Sequence, residues 1–117
     1  MSKMENLAPA DVARWLAERA ILLIDVREPE EYAVERIHGA LLFPLSSFDP
    51  QSLPDPGERR IVFQCGSGMR SAKAMAACAD AGVDFAGHLT GGLQAWKKAG
   101  LPVTAIDPGT GKLQEGH

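Results

Sequence analysis

The run Ile21-Leu22-Leu23-Ile24-Asp25-Val26 constrains this chain more than any other segment. A strand with one face in water alternates apolar and polar residues, and this run does not. It reads as a strand buried on both faces, the pattern of a parallel sheet with helices on either side. The surrounding segments agree. A helix is predicted from about Pro9 to Arg19, where Pro9 suits a first turn and Val12 and Leu16 share one face. The acidic stretch Glu28-Pro29-Glu30-Glu31-Tyr32 reads as the first turn of a short helix. Gly39 marks the turn into a second strand, Ala40-Leu41-Leu42-Phe43, closed by Pro44.

Between Ser46 and Arg60, Pro50, Pro54, Pro56 and Gly57 mark a long connection with room for a short helix. A third strand covers Ile61 to Gln64. A helix, Ala72-Lys73-Ala74-Met75-Ala76-Ala77-Cys78-Ala79, ends near Gly82. Phe85 to Leu89 gives a weaker strand signal. Thr90-Gly91-Gly92 reads as a tight turn into the helix Leu93 to Ala99, with Lys97 and Lys98 in its last turn and Gly100 just past it. Strands alternating with helices imply an α/β domain with a mostly parallel sheet. The expected organisation is one domain over residues 1–106 and a loose, glycine- and proline-bearing tail over 107–117.

Size and charge narrow the function classes. A chain of 117 residues suffices for one domain, and 45% hydrophobic residues suffice for a packed core. A formal net charge of −3 argues against non-specific nucleic-acid binding. No run approaches the ~20 apolar residues of a membrane span, and Met1-Ser2-Lys3-Met4-Glu5-Asn6 has no apolar signal core. Two cysteines make no disulfide framework, and with three scattered histidines they assemble no metal site by spacing. The expectation is a soluble cytoplasmic domain without a cofactor; nothing in the sequence sets its oligomeric state.

One loop carries chemistry. Cys65-Gly66-Ser67-Gly68-Met69-Arg70-Ser71 runs from a strand end into a helix N-terminus, where ligand sites of α/β sheets lie. Successive backbone N–H groups there can form a concave anion site, reinforced by the helix dipole and by the fixed charge of Arg70. All three favour the thiolate, the reactive form of cysteine. A free cysteine is also a small buried hydrophobe, and glycines also serve turns. A purely structural cysteine needs neither the glycines nor the arginine, so Cys65 reads as functional. Cys78, inside an alanine-rich helix, reads as packing.

Three separated segments then match one family: Leu23-Ile24-Asp25-Val26-Arg27-Glu28-Pro29-Glu30-Glu31-Tyr32, the Cys65 to Ser71 loop, and Thr90-Gly91-Gly92-Leu93-Gln94-Ala95-Trp96. In order and spacing they resemble single-domain rhodaneses over about Pro9 to Val103. The resemblance implies a five-stranded, mostly parallel sheet with helices on both faces. It implies transfer of a sulfane sulfur, often from thiosulfate, through a persulfide on Cys65. Gly66, Ser67, Gly68, Met69, Arg70 and Ser71 would form the substrate and anion loop. The partners implied are a small anionic sulfur donor and a thiophilic acceptor, which is cyanide, a thiol or a protein. One stretch departs from the family pattern. In Glu35-Arg36-Ile37-His38-Gly39-Ala40, Arg36 and His38 replace the usual histidine and proline.

On this reading the loop holds the thiolate without a general base, and no histidine neighbours Cys65 in sequence. Arg70 is expected to bind the donor, the competing role being a loop arginine satisfying carbonyls. Asp25 and Arg27, two apart on a strand, are expected to pair at the border of the site, with Arg36 on the same rim. His38 and His88 read as surface or turn residues, and Leu93 and Trp96 as helix core. A cysteine, a cradle and an arginine also describe cysteine phosphatases and arsenate reductases. Those phosphatases place their arginine one residue further on; here four residues separate Cys65 from Arg70, a smaller ring suited to sulfur. Two other roles stand beside small-molecule catalysis: a persulfide carrier serving a protein partner, and a regulatory module, which commonly lacks the cysteine.

Overall fold

A computed structural model describes residues 6–106 and 109–116. In chain order the elements are β1 (Asn6–Leu7), α1 (Pro9–Ala17), β2 (Ile21–Asp25), α2 (Pro29–Val34), β3 (Glu35–Arg36) and β4 (Leu41–Leu42). Two single-turn helices, Leu45–Ser47 and Pro50–Ser52, occupy the long connection. Then follow β5 (Arg60–Gln64), α3 (Met69–Ala81), β6 (Gly87–Leu89), α4 (Gly92–Lys98), β7 (Val103–Ile106) and β8 (Leu113–Gly116). A five-stranded sheet has the order β1-β6-β5-β2-β4, and every pairing in it is parallel.

The doubly buried strand lies inside this sheet, between β5 and β4. β2 pairs with β5 from Ile21↔Arg60 to Asp25↔Gln64. Successive residues point to opposite faces, and adjacent Leu23 and Ile24 are both fully buried, in different clusters. Leu23 lies with Val12 of α1 and Leu93 and Trp96 of α4. Ile24 lies with Phe63 of β5 and Ala74, Met75 and Cys78 of α3. Helices thus cover both faces, and Leu93 and Trp96 are core residues as their spacing predicted.

Helix α1 stops two residues before the predicted end. Arg19 adopts a left-handed φ of +58°. Its N–H reaches the Leu16 carbonyl, and the Ala20 N–H reaches that of Trp15 at 2.9 Å. This is a helix-closing motif usually built on glycine, and an arginine at that position carries no local signal for it.

A second sheet, β3-β7-β8, was not foreseen. Its strands are antiparallel, with Arg36↔Thr104 and Thr104↔Glu115 among the partners. The segment expected to be a loose tail therefore contains a strand, while Asp107, Pro108 and His117 lie outside the described residues. Backbone pairing to a distant partner leaves little mark on so short a sequence. Among the described residues no helix is long and apolar enough to cross a membrane.

Candidate active site

Cys65 follows the carboxyl end of β5, at the centre of the parallel sheet. The chain turns at Gly68, whose φ is +107°, and α3 begins at Met69. The turn brings two backbone N–H groups onto the sulfur: Gly68 donates to Sγ at 3.1 Å and Ser71 at 3.4 Å. The Ser71 hydroxyl lies 3.6 Å from Sγ. Cys65 itself is fully buried. Burial pushes the thiol up, but hydrogen bonds from the Ser71 hydroxyl and from the amides of Ser71, Gly68 and Ser67 outweigh it and hold the thiol below its ordinary value. The N-terminal end of α3 adds a field of the same sign.

A second loop fixes the first. The N–H groups of Leu93 and Gln94, in the first turn of α4, donate to the carbonyls of Cys65 and Gly66 at 2.8 and 3.1 Å. A trans peptide points its N–H opposite its C=O, so this pairing turns the Gly66 and Ser67 amides toward the cradle. The approach requires glycine at 92. Its φ is +61°, and a Cβ there would lie 2.3 Å from the Cys65 carbonyl oxygen.

Among the described residues, the partner of Arg70 is a carboxylate and not a carbonyl. Its guanidinium forms a two-pronged pair with the Glu31 carboxylate, at 2.6 and 3.0 Å. The hydrogen bond from Arg70 holds the Glu31 carboxyl at about 2, well below the usual range. Glu31 also accepts the Glu28 N–H at 3.1 Å, at the start of α2. Asp25 and Arg27 pair as expected. Arg27 Nη2 lies 2.8 Å from Asp25 Oδ2, Nε lies 3.1 Å from each carboxylate oxygen, and Nη2 also donates to the Glu35 carbonyl at 2.7 Å. Both are buried, and the pair ties the end of β2 to β3. Arg36 turns to Tyr32, donating to its carbonyl at 3.1 Å and lying 4.9 Å from its ring centre.

His88 corrects the sequence reading. It is 7% exposed and belongs to the site's surroundings, not to the surface. Its Nδ1 is 2.7 Å from the Ser71 hydroxyl and its Nε2 is 2.9 Å from Asn6 Oδ1. In register it sits opposite Phe63, two residues before Cys65. Nothing local marks it; only its place in a strand paired on both edges hides it from water. Met69, within the loop, is 73% exposed. Cys78 is buried among apolar neighbours, and burial pushes its thiol up to about 11. Among the described residues no group of three or more His, Cys, Asp or Glu could hold a metal ion.

Comparison with known proteins places this geometry among relatives. The profile of the Rhodanese-like domain matches residues 8–99. An uncharacterised protein of Synechocystis sp. is 42% identical over 97 residues, which cover 83% of this chain and 54% of that protein, so the chain spans about half its length. A sulfurtransferase of Allochromatium vinosum is 36% identical over 85 residues, 73% of this chain and 79% of that one. Among solved structures, the rhodanese-like domain of the Alr3790 protein from Anabaena sp. superposes with a TM-score of 0.75 at 28% identity, over 88% of this chain and 81% of that one.

Proposed function

This chain belongs to the rhodanese-like family, and from that premise we propose that it is a sulfurtransferase whose sulfur-carrying nucleophile is Cys65. The Cys65 thiolate attacks the outer sulfur of an anionic donor such as thiosulfate. A new S–S bond forms, the donor's own bond to that sulfur breaks, and sulfite leaves with the bonding pair. A thiophilic acceptor, which is cyanide, a small thiol or a protein thiol, then takes the terminal sulfur and regenerates the thiolate. Two displacements replace one harder step. The amides that favour the thiolate also stabilise the persulfide anion, whose charge sits one atom further out.

The observation that carries this reading is Sγ held under the N–H groups of Gly68 and Ser71, with its acidity raised against burial. Intact mass spectrometry before and after thiosulfate tests it. Wild type should gain one sulfur atom, lose it to cyanide, and Cys65→Ser should gain none. Uptake by Cys65→Ser, or none by either protein with any sulfane donor, would overturn it.

A further inference from the structure

A line of hydrogen-bonding groups leaves the cradle from the cysteine sulfur. From Cys65 Sγ it passes to Ser71 Oγ at 3.6 Å, to His88 Nδ1 at 2.7 Å, and from His88 Nε2 to Asn6 Oδ1 at 2.9 Å. Asn6 settles its direction. An amide oxygen only accepts, so Nε2 carries the imidazole hydrogen. Nδ1 is then the acceptor, and the Ser71 O–H donates to it. The Ser71 oxygen is left with lone pairs to accept the Cys65 S–H. The competing acceptor for the Ser71 hydrogen, the Gly68 carbonyl, is further away at 3.2 Å.

We propose that Ser71 and His88 form a relay that takes the proton from the Cys65 thiol, with Asn6 fixing the imidazole that receives it. The S–H bond breaks as an O–H bond forms on Ser71, and the hydroxyl's original O–H bond breaks as an N–H bond forms at His88 Nδ1. Thiol and imidazole become thiolate and imidazolium, with no change in total charge. The outcome agrees with the cradle: Nδ1–H now donates to Ser71, whose new hydrogen points at the thiolate. His88 touches no reacting atom and acts through Ser71, so it is a positioning residue.

Burial holds the His88 imidazole below its ordinary value, so charging the ring carries a cost that an adjacent thiolate would offset. Among the described residues, the groups facing the ring come from three packed elements. β1 contributes Asn6, β5 places Phe63 opposite it, and α3 contributes Ser71. The Gly68 main chain lies beside it, with a Cβ there falling 3.8 Å from the ring. α4 packs with Leu89, the next residue of β6, on the other face. Cys65 is the ionisable group at the end of this line.

The inference rests on Cys65 being the nucleophile, but its test reads ionisation and not sulfur transfer. Thiolate absorbance in the ultraviolet, followed against pH in a Cys78→Ser background, needs no reagent to reach the buried sulfur. Ser71→Ala and His88→Leu should each cut the thiolate fraction near neutral pH by about tenfold, one unit of pKa. The double variant should be no worse than either single one, since both break one line. Ser71→Thr, which keeps the hydroxyl, should titrate within about twofold of wild type. If Ser71→Ala shifts the titration and His88→Leu does not, the hydroxyl acts alone and the relay is wrong. Should His88→Leu fail to fold, nitrogen NMR of the imidazole at neutral pH decides: an Nδ1 proton present in wild type and absent in Cys65→Ser supports the relay, and a ring that is neutral in both overturns it. A coupled titration in a protein that takes up no sulfur would leave the relay standing and sink the sulfurtransferase reading alone.

Discussion

The carboxylate of Glu31, on α2, grips both terminal nitrogens of Arg70, on α3, at 2.6 and 3.0 Å. Two elements that are far apart in sequence are thereby pinned at the mouth of the Cys65 loop. The positive charge expected to meet an anionic donor is already engaged. Arg70 Nη2 lies 3.4 Å from where a Cβ on Gly66 would sit, so the pair closes over the loop. On the proposed mechanism, an anionic donor drawn to Arg70 would share it with a carboxylate.

Glu31→Gln should therefore improve the use of anionic donors. It removes a nearby negative charge and loosens Arg70, so KM for thiosulfate should fall about threefold or more, the effect shrinking at high salt. Arg70→Ala should raise it. Both partners are over a third exposed or nearly so, so the stability change should stay within about 1 kcal/mol. The sign with pH follows from the depressed carboxyl: the pair contributes fully above the unfolded value near 4.5 and is lost as pH falls toward about 2. Steady-state kinetics with thiosulfate and with an uncharged sulfane donor check this. A higher KM in Glu31→Gln would mean that the carboxylate orients Arg70 for the donor.

The two cysteines should separate by pH. Thiolate rises with pH, and the cradle brings Cys65 to ionisation below the ordinary thiol range, while Cys78 stays protonated until about 11. Thiolate absorbance in Cys78→Ala, which keeps Cys65, should rise at lower pH than in Cys65→Ser, which keeps Cys78. Because the folded Cys78 pKa is raised, its contribution to stability is complete below the unfolded value and is lost between about 8.5 and about 11. Cys78→Ala should remove that part of the alkaline sensitivity. Thiolate absorbance appearing first in Cys65→Ser would show that the assignment is wrong.

Gly92→Ala should damage the cradle and the fold together. A methyl group 2.3 Å from a backbone carbonyl, at a left-handed φ, has no flexible neighbour to push aside. The cost should be about 2 kcal/mol or more. Sulfur uptake should fall further than the folded fraction does, since the amides of Leu93 and Gln94 lose their carbonyls. Urea unfolding alongside mass spectrometry measures both, and uptake unchanged in the folded fraction would contradict it.

Asp25 and Arg27 should show the behaviour of a buried ion pair. Asp25→Leu alone leaves a guanidinium buried and Arg27→Met alone leaves a carboxylate buried, and each should cost about 3–5 kcal/mol. The double change Asp25→Leu with Arg27→Met should cost much less than the sum of the single changes. Denaturant titration of the four proteins gives the coupling directly, and additive costs would show that the two side chains act independently.

Much of the site was legible because its parts are contiguous or punctuated. The Cys65 loop, the doubly buried strand and the Thr90-Gly91-Gly92 turn each carry a local signature of glycine, charge or apolar run. Asp25 and Arg27 were readable because two residues on one strand share a face. What was hidden depends on distance along the chain. His88 meets Asn6 across 82 residues, and Glu31 meets Arg70 across 39, with no pattern linking either pair. The same holds for β3, β7 and β8, where backbone bonds make the pairing.

The dependence of the cradle on α4 has a consequence for a chain shorter than this one. The carbonyls of Cys65 and Gly66 acquire their partners only when Leu93 and Gln94, almost thirty residues later, are in place. A chain that ends before α4 still carries Gly68 and Ser71, whose N–H groups donate to the sulfur, but lacks the two α4 donors that hold the Cys65 and Gly66 carbonyls.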